Sequence, residues 1–181
     1  MKIELKPFAV AACLVFSCAA VFAAEANLYD QWSHKSQVKI CVLDIKPAEG
    51  KKADVAGLKK EIEKTLQNRK SIHFVVLPDR AGADIVVEGE VLDFYWTDHD
   101  PVDMLMGAGA AAYDAMTIEN YARMDAHFKV TDATGKTVWE DKPAATITSK
   151  TLTEAESPAR INEDMGKVFV SACFGKKRAR G

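Results

Sequence analysis

The densest set of potential metal ligands in the chain is a short acidic segment, Asp98, His99, Asp100 and Asp103. Carboxylate and imidazole groups bind divalent ions when a loop folds back on itself. Consecutive residues seldom all point inward, however, and Pro101 indicates a solvated turn. We therefore predict an acidic loop that holds no metal, and no cofactor of any other kind. These four residues stay the candidate ligands if a metal is bound.

Catalytic motifs find little support in the sequence. It contains no G-x-S-x-G elbow. Gly107 and Gly109 begin a glycine pattern, but Ala112 stands where a dinucleotide fingerprint needs its third glycine, and the segment precedes a strand. We predict that the chain is not an enzyme.

The same segment is more typical of an interaction loop. Small and apolar residues follow one another there, and exposed apolar patches usually mark interaction sites. Two interpretations stay open: the loop contacts a membrane or a partner subunit, or it tucks over the sheet edge. The candidate residues are Met104, Leu105, Met106, Gly107 and Gly109.

The amino terminus has the composition of a secretory signal peptide. Lys2 and Lys6 precede an apolar run that ends in small residues. No later stretch reaches the ~20 apolar residues that a transmembrane helix needs. We predict export, with residues 1–23 as the signal peptide.

The end of the signal peptide has two interpretations. The stretch VFSC, ending at Cys18, resembles a lipobox, the signal for cleavage before a cysteine that receives lipid, although Phe16 is bulky for the pattern. The alternative is ordinary cleavage after Ala23 or Ala26. If Cys18 is acylated, the protein is anchored to a membrane, and Ala19 directly after it indicates the outer membrane.

Net charge limits the classes of partner. The chain carries a formal charge of −2, which becomes about −3 without the leader. Binding to nucleic acid needs a concentrated positive surface, so we predict no nucleic-acid partner. The one basic cluster is the tail, residues 176–181, whose cations suit the end of a helix.

Two cysteines remain in the mature chain. Cys41 lies in a predicted strand and Cys173 in a predicted helix. If that helix packs on that strand, an oxidising periplasm would favour a disulfide, worth ~3–5 kcal/mol in the chain-entropy model. The alternative is two buried thiols that act as small hydrophobes.

Residues 83–96 form the stretch around which the rest is organised. Their β-branched and aromatic side chains run almost without interruption, which predicts a long strand in the middle of a sheet. Residues 38–45 and 72–77 predict two further strands, joined by an amphipathic helix over 54–68 that Asp54 caps. This order predicts a parallel crossover.

The second half alternates cleanly from residue 118 to 131, which predicts a half-exposed antiparallel strand. A turn at 132–136 follows, and then a strand interrupted at Pro143. Ser157 is the predicted N-cap of the last helix, Pro158 takes its first position, and Gly175 ends it. The prediction is an α+β fold, a mixed sheet of about five strands in the order β-α-β-β-β-β-α, covered by two helices. Its parts are a tether (24–37), a single domain (38–175) and the tail.

Two stretches carry a family resemblance. ADIVVEGEV (83–91) and VTDATGKTVWE (130–140) flank a Gly/Ala-rich loop and an alternating strand. With this pattern, residues 38–174 resemble a group of bacterial envelope lipoproteins similar in fold to the amino-terminal domain of TolB and the periplasmic domain of the curli secretion lipoprotein. The resemblance implies a non-enzymatic role in assembly or transport support, and it brings no catalytic residue.

The predicted function is therefore a periplasm-facing lipoprotein, acting through contacts with other envelope proteins or by self-association. The alternative is a soluble periplasmic module that binds a small ligand or ion with the 98–116 loop. A lipidated Cys18 favours the first interpretation, and a start near Glu25 leaves the second open.

Overall fold

The computed structural model describes residues 28–98 and 120–176. Helices and one mixed sheet alternate along the chain, as the sequence predicts. The elements in chain order are α1 (Leu28–Trp32), β1 (Val38–Val42), β2 (Lys46–Pro47), α2 (Val55–Gln67), β3 (Phe74–Leu77), β4 (Ile85–Thr97), β5 (Asn120–Asp132), β6 (Thr137–Asp141), β7 (Ala144–Ser149) and α3 (Ser157–Phe174).

The long strand β4 lies in the middle of the sheet, as predicted. The strand order is β3-β1-β4-β5-β6, with β2 also on β4 and β7 also on β5. β1 is parallel to both β3 and β4, so β1, α2 and β3 form the predicted crossover. β4 and β5 are antiparallel. This is the predicted α+β fold with a mixed sheet.

The described part of the sheet has seven strands rather than about five. β6 and β7 are separate strands because Pro143 stands between them, and both pair with β5. β2 lies between the first predicted strand and the predicted helix, where the sequence analysis placed no strand; its two residues pair with Glu90 and Val91. Two-residue pairings carry no alternation that a sequence pattern can show.

Both long helices pack on the same face of the sheet. α2 lies over β1 and β3, while α3 lies over β5 and β7. The helices contribute apolar side chains that recur at helical spacing, and the strands contribute every second residue. Together these side chains form one core. Phe128, for example, packs on Phe169 with ring centroids 4.5 Å apart. In β5, burial alternates from Ala122 to Val130 as the sequence predicts, with every second side chain in the core.

A hydrogen-bonded pin joins the two helices. Asp54 caps α2, because its Oδ1 accepts from Gly57 N at 3.0 Å. Asn162 of α3 is fully buried, and its Nδ2 donates to the backbone oxygen of Asp54 (3.0 Å) and to Asp54 Oδ2 (3.1 Å). The start of one helix is thereby tied to the middle of the other.

The predicted tether is wrong from residue 28 onward. α1 lies inside the range 24–37, and its Leu28 and Trp32 are buried in the main core. The core therefore includes residues that the sequence analysis assigned to the tether. The Ser157 cap is also wrong: the N-cap position is Glu156, and Ser157 Oγ donates inward to the Glu154 carbonyl at 2.9 Å.

Of the two alternatives for Cys41 and Cys173, the structure has the two buried thiols; both are free and no disulfide joins them. Cys173 lies in the main core under the helices. Cys41 lies with Ala83 and Val86 in a small second cluster on the other face of the sheet. Adjacent strand residues point to opposite faces, so Cys41 is turned away from α3 while Ile40 and Val42 face it. The sheet separates the two sulfurs.

A first prediction concerns the pin. A Cβ on Gly57 would collide with the Asp54 carboxylate and come within 2.8 Å of Asn162 Nδ2. Replacing a helical glycine by alanine ordinarily stabilises by ~0.5–1 kcal/mol. We expect Gly57→Ala instead to destabilise, by roughly 1–2 kcal/mol, because the cap is displaced. Urea denaturation of the wild type and the variant measures the difference.

Ala56→Ser is the matched control, because Ala56 is the exposed neighbour in the same helical turn. It should cost no more than a few tenths of a kcal/mol by propensity alone. A Gly57→Ala variant that is more stable than the wild type would contradict the pin.

A second prediction concerns the thiols. We expect two reactive thiols per mature Cys18→Ala chain, from which the leader with Cys13 is removed, under denaturing, non-reducing conditions, and almost none in the folded protein, because Cys41 and Cys173 are both fully buried. Burial also raises the pKa of both thiols, most strongly that of Cys173. Colorimetric thiol titration measures this, with a reduced sample as control. If the denatured, unreduced chain has no reactive thiols, the two cysteines are joined by a disulfide after all.

Candidate functional site

Most residues singled out by the sequence lie outside the part that the structure describes. This holds for Cys18, for the interaction-loop residues Met104, Leu105, Met106, Gly107 and Gly109, and for His99, Asp100 and Asp103. Of the metal candidates, Asp98 alone is described, directly after β4. Within residues 28–98 and 120–176, no group of three or more His, Cys, Asp or Glu side chains is arranged to hold a metal ion.

The face of the sheet opposite α2 and α3 has no helix over it within the described residues. We call this surface the open face. Apart from the small cluster around Cys41, its central strands carry aromatic, charged and hydroxyl side chains. They are Glu88, Glu90, Tyr95, Tyr121, Arg123, Asp125, His127, Lys129 and Thr131.

A β-bulge in β4 turns Tyr95 onto the open face. The register passes from Val91 opposite Ala126 to Asp93 opposite Asp125, so Leu92 is an extra residue. Before the bulge, odd-numbered residues such as Val91 point into the core. After it, Phe94 and Trp96 pack against the core, while Tyr95 is 39% exposed. Tyr95 is the only large hydrophobic side chain of the described residues in the exposed class.

Tyr95 belongs to a cluster that crosses three strands. Its ring lies 5.7 Å from the ring of Tyr121, with 31° between the planes. Tyr121 hydrogen-bonds to Tyr95, to Arg123 and to Thr146 of β7. Arg123 donates two hydrogen bonds to the carboxylate of Asp125, from Nε to Oδ2 at 3.0 Å and from Nη2 to Oδ1 at 2.8 Å. We call these residues the Tyr-Arg cluster.

Hydrogen bonding within the cluster shifts the pKa values of the two tyrosines in opposite directions. Tyr95 donates to Tyr121, and this bond, together with burial, raises the pKa of Tyr95 to about 12. Burial opposes ionisation of Tyr121 as well, but the bonds that its oxygen accepts from Tyr95, Thr146 and Arg123 lower its pKa. The carboxylate of Asp125 raises the pKa of Arg123, so the guanidinium stays charged. The cluster is thus a fixed set of donors beside two rings.

The chemistry of this cluster suits recognition more than catalysis. Tyr95 is neutral at physiological pH, and its raised pKa makes it a poor base or nucleophile. Tyrosine and arginine are, with tryptophan, the residues that most often carry the energy of protein–protein interfaces. Further along the face, His127 Nε2 lies 2.8 Å from Glu140 Oε1, and Lys51 Nζ lies 2.9 Å from Asp93.

A cavity of about 360 Å³ lies at the other end of the open face. Val86 and Thr131 belong to its lining, with the 132–135 turn at one side. Arg80 Nη2 donates to Glu88 Oε1 at 2.8 Å, and both side chains line the cavity. Lys129 stands directly across the strands from Glu88. This is a small polar pocket, roughly 30 Å along the strands from the end of β4.

The sequence analysis had placed Tyr121, Arg123, Asp125 and His127 together on the polar face of one strand. It did not connect them with Tyr95, because plain alternation along β4 puts Tyr95 on the core side. The available signal was chemical: an arginine and a tyrosine on a solvent-facing strand are unusual enough to mark a surface for binding.

Comparison with known proteins finds likeness only among solved structures, and only in fold. No protein-family model matches the chain, and no curated protein does. Among solved structures, the hypothetical protein CT253 from Chlamydia trachomatis is 12% identical, with 77% of this chain and 92% of that chain covered and a TM-score of 0.47.

Two further solved structures have similar values. A PelC dodecamer from Paraburkholderia phytofirmans is 17% identical over 77% of this chain and 90% of that chain, with a TM-score of 0.45. A minor lipoprotein from Acinetobacter baumannii is 11% identical over 75% of this chain and 92% of that one, with a TM-score of 0.42. Similarity at this level assigns no function to the chain.

A third prediction follows from the two phenols. Because Tyr95 keeps its proton more tightly in the fold, its stabilising effect is present below pH 10 and is lost as the pH rises towards 12. We expect one tyrosine to ionise near pH 12 in ultraviolet absorbance titration. Tyr121→Phe removes the acceptor and should return Tyr95 to an ordinary pKa. Tyr29→Phe is the control and should leave this step in place; a high step that survives Tyr121→Phe would contradict the bond.

Proposed function

We propose that this chain is a non-enzymatic lipoprotein of the cell envelope, exported, acylated at Cys18 and held at the outer membrane. It acts as a structural, assembly or transport-auxiliary module through protein contacts. The observation that carries the proposal is the Tyr-Arg cluster on the open face, where aromatic and charged side chains are held in place without a helix over them.

The build of the cluster supports a contact role. A side chain that is already fixed loses little conformational entropy when a partner binds, and this preorganisation strengthens binding. Arg123 is held by both oxygens of Asp125, and its side chain is still 40% exposed. Tyr95 and Tyr121 add flat apolar surface next to it. Together they offer a partner an anchor of the type found at interface centres.

The short connection to the proposed anchor also supports this role. The described part of the domain starts at Leu28, and nine residues, 19–27, lie between it and Cys18 in the chain. Nine residues span at most about 30 Å when fully extended. A domain on such a connection stays beside the membrane surface, where its contacts would be with other envelope proteins. Within the described residues, no helix is long and apolar enough to cross a membrane.

The cavity favours a second candidate function, a soluble periplasmic module for a small ligand. Arg80, Lys129 and the Thr131 hydroxyl line it together with the carboxylates of Glu88 and Asp132, so it offers both donors and acceptors to a small polar ligand. The 98–116 loop, proposed above as the binding element, leaves β4 at the end away from this cavity. The ligand-binding candidate therefore rests on the cavity and not on that loop.

A fourth prediction tests the anchor and the contact face together. We expect the intact mass of the membrane-bound protein to show three acyl chains on Cys18, and Cys18→Ala to lose them and become soluble. A photo-crosslinking residue at Tyr95 should join the lipidated protein to a discrete envelope partner. Arg123→Ala should weaken that product severalfold.

The matched control places the same crosslinker at Lys60, which is exposed on α2 on the other side of the domain. It should give no such product. An unmodified chain that begins near Ala24 or Asn27 would overturn the lipoprotein, and ligand screening against the cavity would follow. An acylated chain that crosslinks equally from both positions would overturn the contact face alone.

A further inference from the structure

The outer edge of β7 is a strand edge without the usual protection against pairing. β7 pairs only with β5 in the described part of the chain. Its six residues, Ala-Ala-Thr-Ile-Thr-Ser, contain no charge and no proline. Natural sheets normally blunt such edges with charged residues, prolines, bulges or very short strands. The edge of β7 has none of these within the strand.

The other edge strands differ from β7. β3 has four residues and Pro78 directly after it, so it is a short edge that a proline closes. β6 carries Glu140 and Asp141 at its end. A charged or short edge discourages pairing with another chain. The contrast singles out β7.

The pairing between β5 and β7 shows which backbone groups of β7 point away from β5. Ala126 N donates to Pro143 O at 3.1 Å, so this position is a hydrogen-bonded pair of the β5–β7 ladder. Such pairs recur at every second residue of an antiparallel ladder, which directs the N–H and C=O of Ala145 and Ile147 towards β5. The N–H and C=O groups of Ala144, Thr146 and Thr148 therefore point out from the edge, and all three residues are exposed.

The helix above this edge offers apolar surface on the same side. Gly166 and Asn162 face α2, as their contacts with Glu61 and Asp54 show. At 100° per residue, Val168 lies on the opposite flank of α3, above β7 and away from α2. Val168 is half-buried, and Ala172, one turn further, is exposed. The free edge is thus bordered by a small apolar flank.

We propose that the protein pairs with a second copy of itself by antiparallel addition of β7 to β7, which makes one continuous sheet with a two-fold axis at Ile147. This inference names a partner for the contact role and rests on the proposed function in that respect. The occupant is a second copy because a neutral strand pairs with itself without placing like charges in opposition.

Register follows from the residues of the strand. With the axis at Ile147, Thr146 of each copy faces Thr148 of the other, which is a favourable cross-strand pair. Ile147 then meets Ile147 of the second copy on the helix side, next to the Val168 flank. An axis at Thr146 would set Lys142 opposite Lys150, so that register is disfavoured.

The fifth prediction tests this edge in the full mature chain carrying Cys18→Ala, so that an acyl chain cannot drive association. We expect sedimentation velocity to show a concentration-dependent dimer. Thr148→Pro removes one outward N–H without touching the β5 ladder, and we expect it to weaken dimerisation at least tenfold. Thr148→Val keeps the N–H and should dimerise like the parent.

A second variant guards against a folding defect in the proline variant. Thr148→Lys adds a charge to the edge and should also weaken the dimer, with partial recovery at high salt. Thermal unfolding checks that each variant is folded. The inference would be overturned by a parent that is monomeric at all concentrations. It would also be overturned by an oligomer that neither Thr148→Pro nor Thr148→Lys weakens. A monomer that is acylated and crosslinks through Tyr95 in its native form would leave the proposed function standing.

Discussion

β4 and β5 pair along almost their whole length, and this antiparallel ladder decides on which side of the sheet their side chains lie. Ala122, Met124, Ala126, Phe128 and Val130 enter the core, and the residues between them face solvent. A slip of one residue would exchange the two sets, so burial of one face holds the register. The helices, the core and the open face all follow from it.

The helices add a second constraint on one side only. The sheet face under them needs two helices to cover it, and these are held together by the buried contact of Asn162 with the Asp54 cap. That pin places an amide inside the core, where its Nδ2 donates two hydrogen bonds and its Oδ1 has no partner among the described residues. Because α2 and α3 both pack on this face, neither helix covers the opposite face of the sheet. The division between a packed face and an open one is thus a property of the fold, and the proposed function uses the open one.

The bulge at Leu92 links this architecture to the proposed function. It shifts the phase of β4 by one residue, so that Phe94 and Trp96 fill the core and Tyr95 joins Tyr121 outside. It also sets Asp93 opposite Asp125, where Lys51 and Arg123 neutralise the two carboxylates. Bulges often re-aim side chains near functional sites. Here the same extra residue determines both the packing of Phe94 and Trp96 in the core and the position of Tyr95 on the proposed contact surface.

Local patterns in the sequence by themselves determined the element types: the central strand, the β1-α2-β3 crossover, the alternation of β5 and the last helix. Apolar periodicity and caps act over short distances, so they can be read from neighbouring residues. Tertiary structure decided the rest. Cys41 and Cys173 are apart because strand pleating places them on opposite faces, and α1 joins the core because Leu28 and Trp32 find space in it. Tyr95 faces outward because β5 is paired across a bulge, and no pattern within β4 reports how its partner strand is aligned.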